Sequence, residues 1–292
     1  MTTSQTTYQF RLLGVVTLYN LDSKEAADNI KRYLADLDIL IIWDNSPLEK
    51  NLKANVLTFL GNLAEKVMWH GDGSNMCIAP AINFAKKFAK EKGFDLLLVM
   101  DQDSRWENFS DYRKEVEALY RKNAMVFAPY VEGCDKFEIT SPQQKRLLFI
   151  NSGTIIPIEI LEAIGDIDEK AFPLDALDYD IALSVREKGY DAVCLTNHKL
   201  LHTLGQPQRM GPFKLHTNNY NSVRVYSIVR SHVICYRKHC AHATEEYRKH
   251  FYKEFVFYNL LRILLAEPEK ASRLKAYVKG LVSGLWYRLS RK

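Results

Sequence analysis

"DLLLVMDQDSRW", residues 95–106, is the stretch whose reading decides the fold. Its Leu, Val and Met run has no polar interruption and reads as a strand covered on both faces, as in a parallel sheet. Yet the run ends on Asp101 and Asp103, one residue apart, and burying an unpaired carboxylate is costly. The pair needs a rim, a charged partner or a metal.

Working outward, "RLLGVVTLYN" (11–20), "LDILIIWDNS" (37–46), "KVMWHGD" (66–72) and "AMVFAP" (124–129) are further short apolar runs, most closed by turn-type residues. Between the runs lie "SKEAADNIKRYLADL", "NLKANVLTFLGNLAE", "APAINFAKKFAKEKG" and "SDYRKEVEALYRKN", whose apolar residues recur at three and four. Alternating strands and helices predict an α/β fold with a mainly parallel sheet flanked by helices. Ligands of such sheets sit beyond the carboxyl ends of the strands. Tyr19-Asn20, Asp44-Asn45-Ser46, Asp72-Gly73 and Asp101-Gln102-Asp103 all fall at those ends, so they are expected to converge on one cleft edge.

After residue 130 the alternation stops. "FEITSPQQKRLLFI" (137–150) suggests a hairpin, "NSGTIIPIEILEAIG" a strand running into a helix, and "LDYDIALSVREKGY" a helix with Asp178 and Asp180 in its first turn. Beyond 220 the pattern is helical, with Glu267-Pro268 marking a helix start. The expected division is a catalytic domain over 1–220, with halves of about 10–130 and 131–220, and a basic helical extension over 221–292.

At 292 residues and 47% hydrophobic, the chain can bury a sizeable core and is not a disordered protein. Five irregularly spaced cysteines, and an N-terminus without a signal peptide's apolar core, lead to the expectation of a reducing, cytoplasmic protein. The longest apolar stretch, "FVFYNLLRILLA", is broken by Arg262 and falls short of the roughly 20 residues a membrane span needs. The net charge of +5 conceals an asymmetry. Residues 1–208 carry 23 Lys+Arg against 30 Asp+Glu, or −7, and residues 209–292 carry 17 against 5, or +12.

Two carboxylates at i and i+2 can reach the same small volume where a strand opens into a turn, and hard oxygen ligands suit Mg²⁺ or Mn²⁺. A solvated turn is the plain alternative. Asp178 and Asp180 read equally as carboxylates favoured by a helix N-terminus. Cys235, His239, Cys240, His242 and His250 match no paired zinc-ligand spacing, so a helix containing Cys and His accounts for them better. In "KASRLKAYVKGLVSGLWYRLSRK" the residues Leu274, Val278, Leu281, Leu285 and Leu289 share one helical face. Seven Lys or Arg and no acid lie between 270 and 292. Two accounts stay open: a helix on an anionic membrane surface, or one packed on the body with its basic side in water.

The segments "LYNLDSKEAADNIKRYLADLDILIIWDNS", "NMCIAPAINFAKKFAKEKGFDLLLVMDQDS", "NSGTIIP", "DALDYDIALSVREKGYDAV" and "LLHTLG" resemble, in order and spacing, glycosyltransferase family 2. The resemblance runs from Val15 to Arg230 and is to the bacterial rhamnosyltransferase-like branch that builds O-antigen and other surface polysaccharides. It implies a GT-A fold, a nucleotide-diphosphate sugar donor with dTDP-rhamnose favoured over a UDP-sugar, Mg²⁺ or Mn²⁺, and a glycan or lipid-linked acceptor rather than nucleic acid. Carried over by position, Thr17, Tyr19 and Asp44 would line the base and ribose pocket. Asn75 and Ala79 would close over the nucleotide, although Cys77 replaces the family's Gly. Asp101 would contact the nucleotide-sugar, Asp103 would bind the metal, and His202 would complete the metal site. Asp178 would be the base of an inverting reaction, Asp180 an acceptor contact, and Ser152 with Gly153 a turn beneath the sugar.

Two positions depart from the family. Ser184 stands where an Arg is usual, leaving Arg186 or Arg224 to serve the diphosphate, and the family's Arg-Asn reads Arg230-Ser231. A lipid-linked acceptor would make peripheral attachment to the inner face of the membrane useful. Two other classes stay open: a nucleotide- or polyanion-binding module without catalysis, and a sugar nucleotidyltransferase, for which no Gly-rich basic triphosphate loop is present.

Overall fold

The computed structural model describes residues 9–202, 208–212 and 214–289. The chain forms two compact units, one of Met1–Asp166 with Lys188–His202, the other of Ile167–Glu187 with Thr203–Lys292. The helix expected around Asp178 thus groups with the C-terminal helices.

In the first unit the alternating runs become β1 (Leu12–Leu18), α1 (Ser23–Leu34), β2 (Ile39–Asp44), α2 (Leu52–Leu60), β3 (Val67–His70), α3 (Ala79–Lys92) and β4 (Leu96–Asp101). There follow β5 (Ser104–Trp106), α4 (Phe109–Tyr120), β6 (Val126–Glu132), β7 (Gln143–Lys145), β8 (Ile155–Pro157), α5 (Ile158–Ile164) and β9 (Ala192–His202). Local chemistry sets the boundaries. Asp22 caps α1 by accepting from Lys24 N and Glu25 N, and Gly93, at φ +67°, ends α3 in the left-handed conformation that a Cβ disfavours.

The sheet runs β3-β2-β1-β4-β8-β6-β9-β5, with β7 also on β9. β1, β2, β3 and β4 are parallel, as are β6 and β9, while β8, β5 and β7 lie antiparallel to their neighbours. Its core is the Leu, Ile and Val of the central strands with Tyr33, Trp106, Phe109 and Tyr112 beneath the helices. The mixed, mostly parallel sheet flanked by helices is the expected α/β class. The hairpin expected over 137–150 does not form. Only β7 is extended there, and Thr196, on β9, holds the stretch by donating to Pro142 O and Ser141 O.

The second unit holds α6 (Leu177–Glu187), an antiparallel pair β10 (Gln208–Met210) and β11 (Leu215–Thr217), α7 (Ser222–His239) and α8 (Glu245–His250). A π-helical segment, Phe251–Tyr258, leads into α9 (Asn259–Leu265), and α10 (Lys270–Trp286) closes the described part. Residues 203–205 of "LHTLG" and 290–292 of the basic tail lie outside the described residues.

The apolar stripe read on α10 is split, Leu274 and Leu281 packing partly against the core of the second unit and Val278 and Leu285 facing out. The helix buries Arg273, Tyr277, Gly280 and Gly284, while Val278 and Leu285 are 50% and 57% exposed. The cause is close approach to α7. A Cβ on Gly280 would stand 2.9 Å from Tyr226 O, and one on Gly284 would stand 2.9 Å from Arg230 O and 2.8 Å from Val233 Cβ. Only glycine admits that spacing. Arg273 is buried against Glu267, at 2.9 Å, and Asn219. Among the described residues no helix is long and apolar enough to cross a membrane.

Candidate active site

Register brings the polar strand ends of the first unit together. In β1, Thr17 pairs with Trp43 of β2 and with Asp101 of β4, and the next residue, Leu18, pairs with Asp44. Beyond Asp101 the chain turns through Gln102 and Asp103 into β5, which runs back along β9 so that Ser104 pairs with His202. One potential ligand atom from each of Asp101, Asp103 and His202 falls within 4.8 Å of the others. His202 Nδ1 is 3.4 Å from Asp103 Oδ1 and 2.7 Å from Ser104 Oγ.

The turn is built to hold this shape. Asp101 N–H donates to Ser152 Oγ, and the Ser152 hydroxyl donates to Ser104 Oγ, linking strand end to imidazole. Gln102 accepts from Tyr19 N–H through Oε1, and its carbonyl accepts from Asn29 Nδ2. Gly153, at φ +78°, follows Ser152 where a Cβ would meet Leu200 and Pro129 at 2.8 Å. Ser152 is fully buried, so its visible work is to fix the Asp101 backbone.

The electrostatics are those of a crowded carboxylate pair. Burial, and then the charge of Asp103, push the Asp101 carboxyl up to about 6, with His202 opposing. Two carboxylates held together by backbone and strand pairing are relieved by a divalent cation. Two carboxylates and an imidazole suit Mn²⁺ or Mg²⁺, so the residues present fit the metal the sequence calls for.

The adjoining rim is a web of side-chain to backbone bonds. Asp44 Oδ1 accepts from Ser46 N–H, and Ser46 Oγ accepts from Asn20 N–H. Asn45 spans the rim, accepting from Met76 N–H and donating to Cys77 O, while Asn75 accepts from Cys77 N–H. Cys77 takes φ +62°, the left-handed region, at the position where the resembled family has Gly. Tyr19 is 46% exposed and Asn75 is exposed, and Thr17 and Asp44 are half-buried. Ala79 is fully buried at the start of α3. Asn45, Ser46, Gln102 and Ser104 tie the site together. Their only sequence signal was position at strand ends.

In the second unit, Ala176 enters α6 at φ +61°, and Asp178 and Asp180 lie in the first turn of that helix. Asp178 is half-buried. Asp180, expected to touch an acceptor, is 2% exposed and bound by Lys238 Nζ at 2.7 and 2.9 Å and by His239 Nε2 at 2.8 Å. Burial acts to raise its carboxyl, but the bonds from His239 and Lys238 outweigh it and hold the group below the usual range. His239 Nδ1 in turn meets Glu187 at 2.7 Å.

Cys235 adds a third donor beside Asp180 and His239, but the Lys238 ammonium already neutralises that carboxylate. Cys240 is exposed, and His250 meets the Tyr179 hydroxyl. Arg224 pairs with buried Asp175 at 2.9 Å, Arg230 donates to Lys170 O, and Ser231 donates to Ala171 O. Ser184 is buried and Arg186 is exposed.

The likenesses to known proteins fit this geometry. No protein-family model matches the chain. A dTDP-rhamnosyl transferase, RfbF of Shigella flexneri, is 24% identical over 236 residues, covering 73% of this chain and 76% of RfbF. Among solved structures, the mannosyltransferase PcManGT of Pyrobaculum calidifontis, in complex with GDP-Man and Mn²⁺, matches with TM-score 0.62 at 12% identity, over 96% of this chain and 88% of its own. TarS 1-349 of S. aureus, in complex with UDP-GlcNAc, matches with TM-score 0.55 at 12% identity, over 93% and 82%. The chain spans 44% of the longer S. aureus TarS structure. Fold, strand-end carboxylates and relatives agree on one class of protein, a GT-A glycosyltransferase.

Proposed function

We propose that this chain moves a sugar, rhamnose by preference, from a dTDP- or UDP-linked donor to a glycan or lipid-linked acceptor in surface polysaccharide synthesis. The observation that carries the reading is the convergence of Asp101, Asp103 and His202 at the carboxyl edge of the sheet. The RfbF relative supports a dTDP-rhamnose donor, and the GDP-Man and Mn²⁺ of PcManGT support a nucleotide-sugar with a divalent cation. When bound, such a cation would neutralise the donor diphosphate as it leaves.

The chain's own residues do the rest. Asp103 and His202 would hold the cation, and Asp101 would complete its ligands and contact the nucleotide-sugar. Thr17, Tyr19, Asp44 and Asn75 line the nucleotide rim, with Ser152 and Gly153 shaping the floor under the sugar. Asp178 takes the proton of the acceptor hydroxyl as that oxygen forms its bond to the anomeric carbon, giving inversion in a single displacement. Asp180 is closed to solvent and serves to anchor the start of α6, so we assign it no acceptor contact.

The test is transfer from dTDP-rhamnose and from UDP-sugars, with Mn²⁺ or Mg²⁺, to lipid-linked glycan acceptors. Asp178→Asn should lower kcat about 10²- to 10⁴-fold, the usual size of a lost general base, with donor affinity kept. Full activity in Asp178→Asn would contradict the role of the base.

A further inference from the structure

α10 has two apolar faces, and only one is used inside the fold. Tyr277, Gly280 and Gly284 pack towards α7, whereas Ala271, Val278 and Val282, with one side of the partly packed Leu274, line a shallow apolar depression in water together with Lys275 and Lys279. Leu285 and Trp286 carry the apolar surface on, Trp286 at 85% exposure. Spacings of three and four make it one continuous stripe along the helix. Contiguous exposed apolar surface of this kind marks an interaction face.

We propose that this outer face of α10 seats the second unit on an anionic lipid surface. Charge selects the occupant. From Lys270 to Leu289 there are five Lys or Arg and no Asp or Glu. Lys275 and Lys279 line the same depression, with Lys279 Nζ 5.4 Å from the centre of the Tyr226 ring, and lysines so placed can lay their stems along apolar surface and extend their ammonium groups to headgroups. A second copy of the chain, meeting this face with its own, would set lysine against lysine with no carboxylate to offset them. An anionic bilayer accepts the valines and leucines in its acyl boundary, the lysines at its phosphates and Trp286 at its interface. The proposal does not depend on the identity of the sugar donor.

The experiment is flotation of the purified full chain with vesicles of phosphatidylcholine alone and of phosphatidylcholine containing phosphatidylglycerol. The chain should float with the anionic vesicles, float little with the neutral ones, and lose binding as salt rises. Lys275→Glu and Lys279→Glu should each weaken binding about fivefold or more, and Val282→Asp more than tenfold, given the energies of basic and buried apolar groups at such surfaces. These side chains are exposed, so the variants should keep the wild-type thermal midpoint. Absence of binding to anionic vesicles, or equal binding by folded Val282→Asp, would overturn the proposal. A dimer that Val282→Asp converts to monomer would also overturn it, since the face would then belong to a second copy.

Discussion

Ser104 and His202 face each other across the β5–β9 ladder, with the Ser104 hydroxyl 2.7 Å from His202 Nδ1. The hydroxyl fixes the imidazole plane at the carboxylate pair, as outer groups do around metal-binding histidines. Ser104→Ala should therefore weaken Mn²⁺ binding about 10- to 100-fold while leaving the fold intact. Calorimetric titration with Mn²⁺ measures this, and unchanged affinity would separate Ser104 from the metal site.

Cys77 occupies a left-handed backbone position at φ +62°. Side chains other than glycine cost about 1–2 kcal/mol there, partly offset by the greater freedom of glycine in the unfolded chain. Cys77→Gly should thus raise stability by about 0.5 kcal/mol in urea unfolding, with nucleotide binding retained. Destabilisation would mean that the thiol contributes packing beyond the strain it carries.

In the second unit buried Asp180 is bonded by half-buried Lys238 and by buried His239, which also meets Glu187 at the outer edge. Removing one partner strands an opposite charge in a poorly solvated place, at a cost of about 3–5 kcal/mol. Lys238→Met should fall in that range by chemical denaturation, and the double variant Lys238→Met/Asp180→Asn should lose less than the two single changes together. Strict additivity would contradict a shared cluster.

His232 is buried against Phe255, its Nδ1 has no hydrogen-bond partner, and burial, helped by His250, lowers its pKa to about 3. It stays neutral in the folded chain, whereas the unfolded chain takes up a proton near pH 6.5, about the ordinary histidine value. Its contribution is complete above that pH and is lost as pH falls, by about 1.4 kcal/mol per pH unit until the folded group titrates. His250, also lowered by burial, adds to the same window, whereas Asp101, pushed up to about 6, and Asp135 and Asp175, raised by burial, act against it, and Asp180 acts only in the lower carboxylate range. Urea unfolding across that window should therefore show the wild type losing more stability towards acid than His232→Leu, the difference between the two slopes being the His232 contribution. Equal slopes would remove His232 from the account.

What was legible in the sequence was local. Apolar runs ending in polar residues placed β1, β2, β3 and β4, and the strand-end rule put Tyr19, Asp44 and Asp101 on one edge, with Thr17 added by the family resemblance. What was hidden was long-range pairing. Ser104 meets His202 98 residues away through an antiparallel ladder, and β7 pairs with β9 instead of folding back as a hairpin. No local periodicity encodes such partners. The sequence left two accounts of α10 open for a related reason. Its apolar stripe did not say which side is buried, because two glycines set how near α7 can come, and that nearness chose the buried side.

We infer that Asp101, Asp103 and His202 would hold a divalent cation that the nucleotide-sugar donor needs for binding. Thermal unfolding with a panel of dTDP- and UDP-sugars, each with Mn²⁺ or Mg²⁺ and again with chelator, tests it most directly. A donor at about a hundred times its Kd adds roughly 2.7 kcal/mol, enough to move the midpoint visibly. The account predicts a rise with at least one donor only when metal is present, lost in Asp103→Ala. No rise with any donor, or one that persists in chelator and in Asp103→Ala, would contradict it.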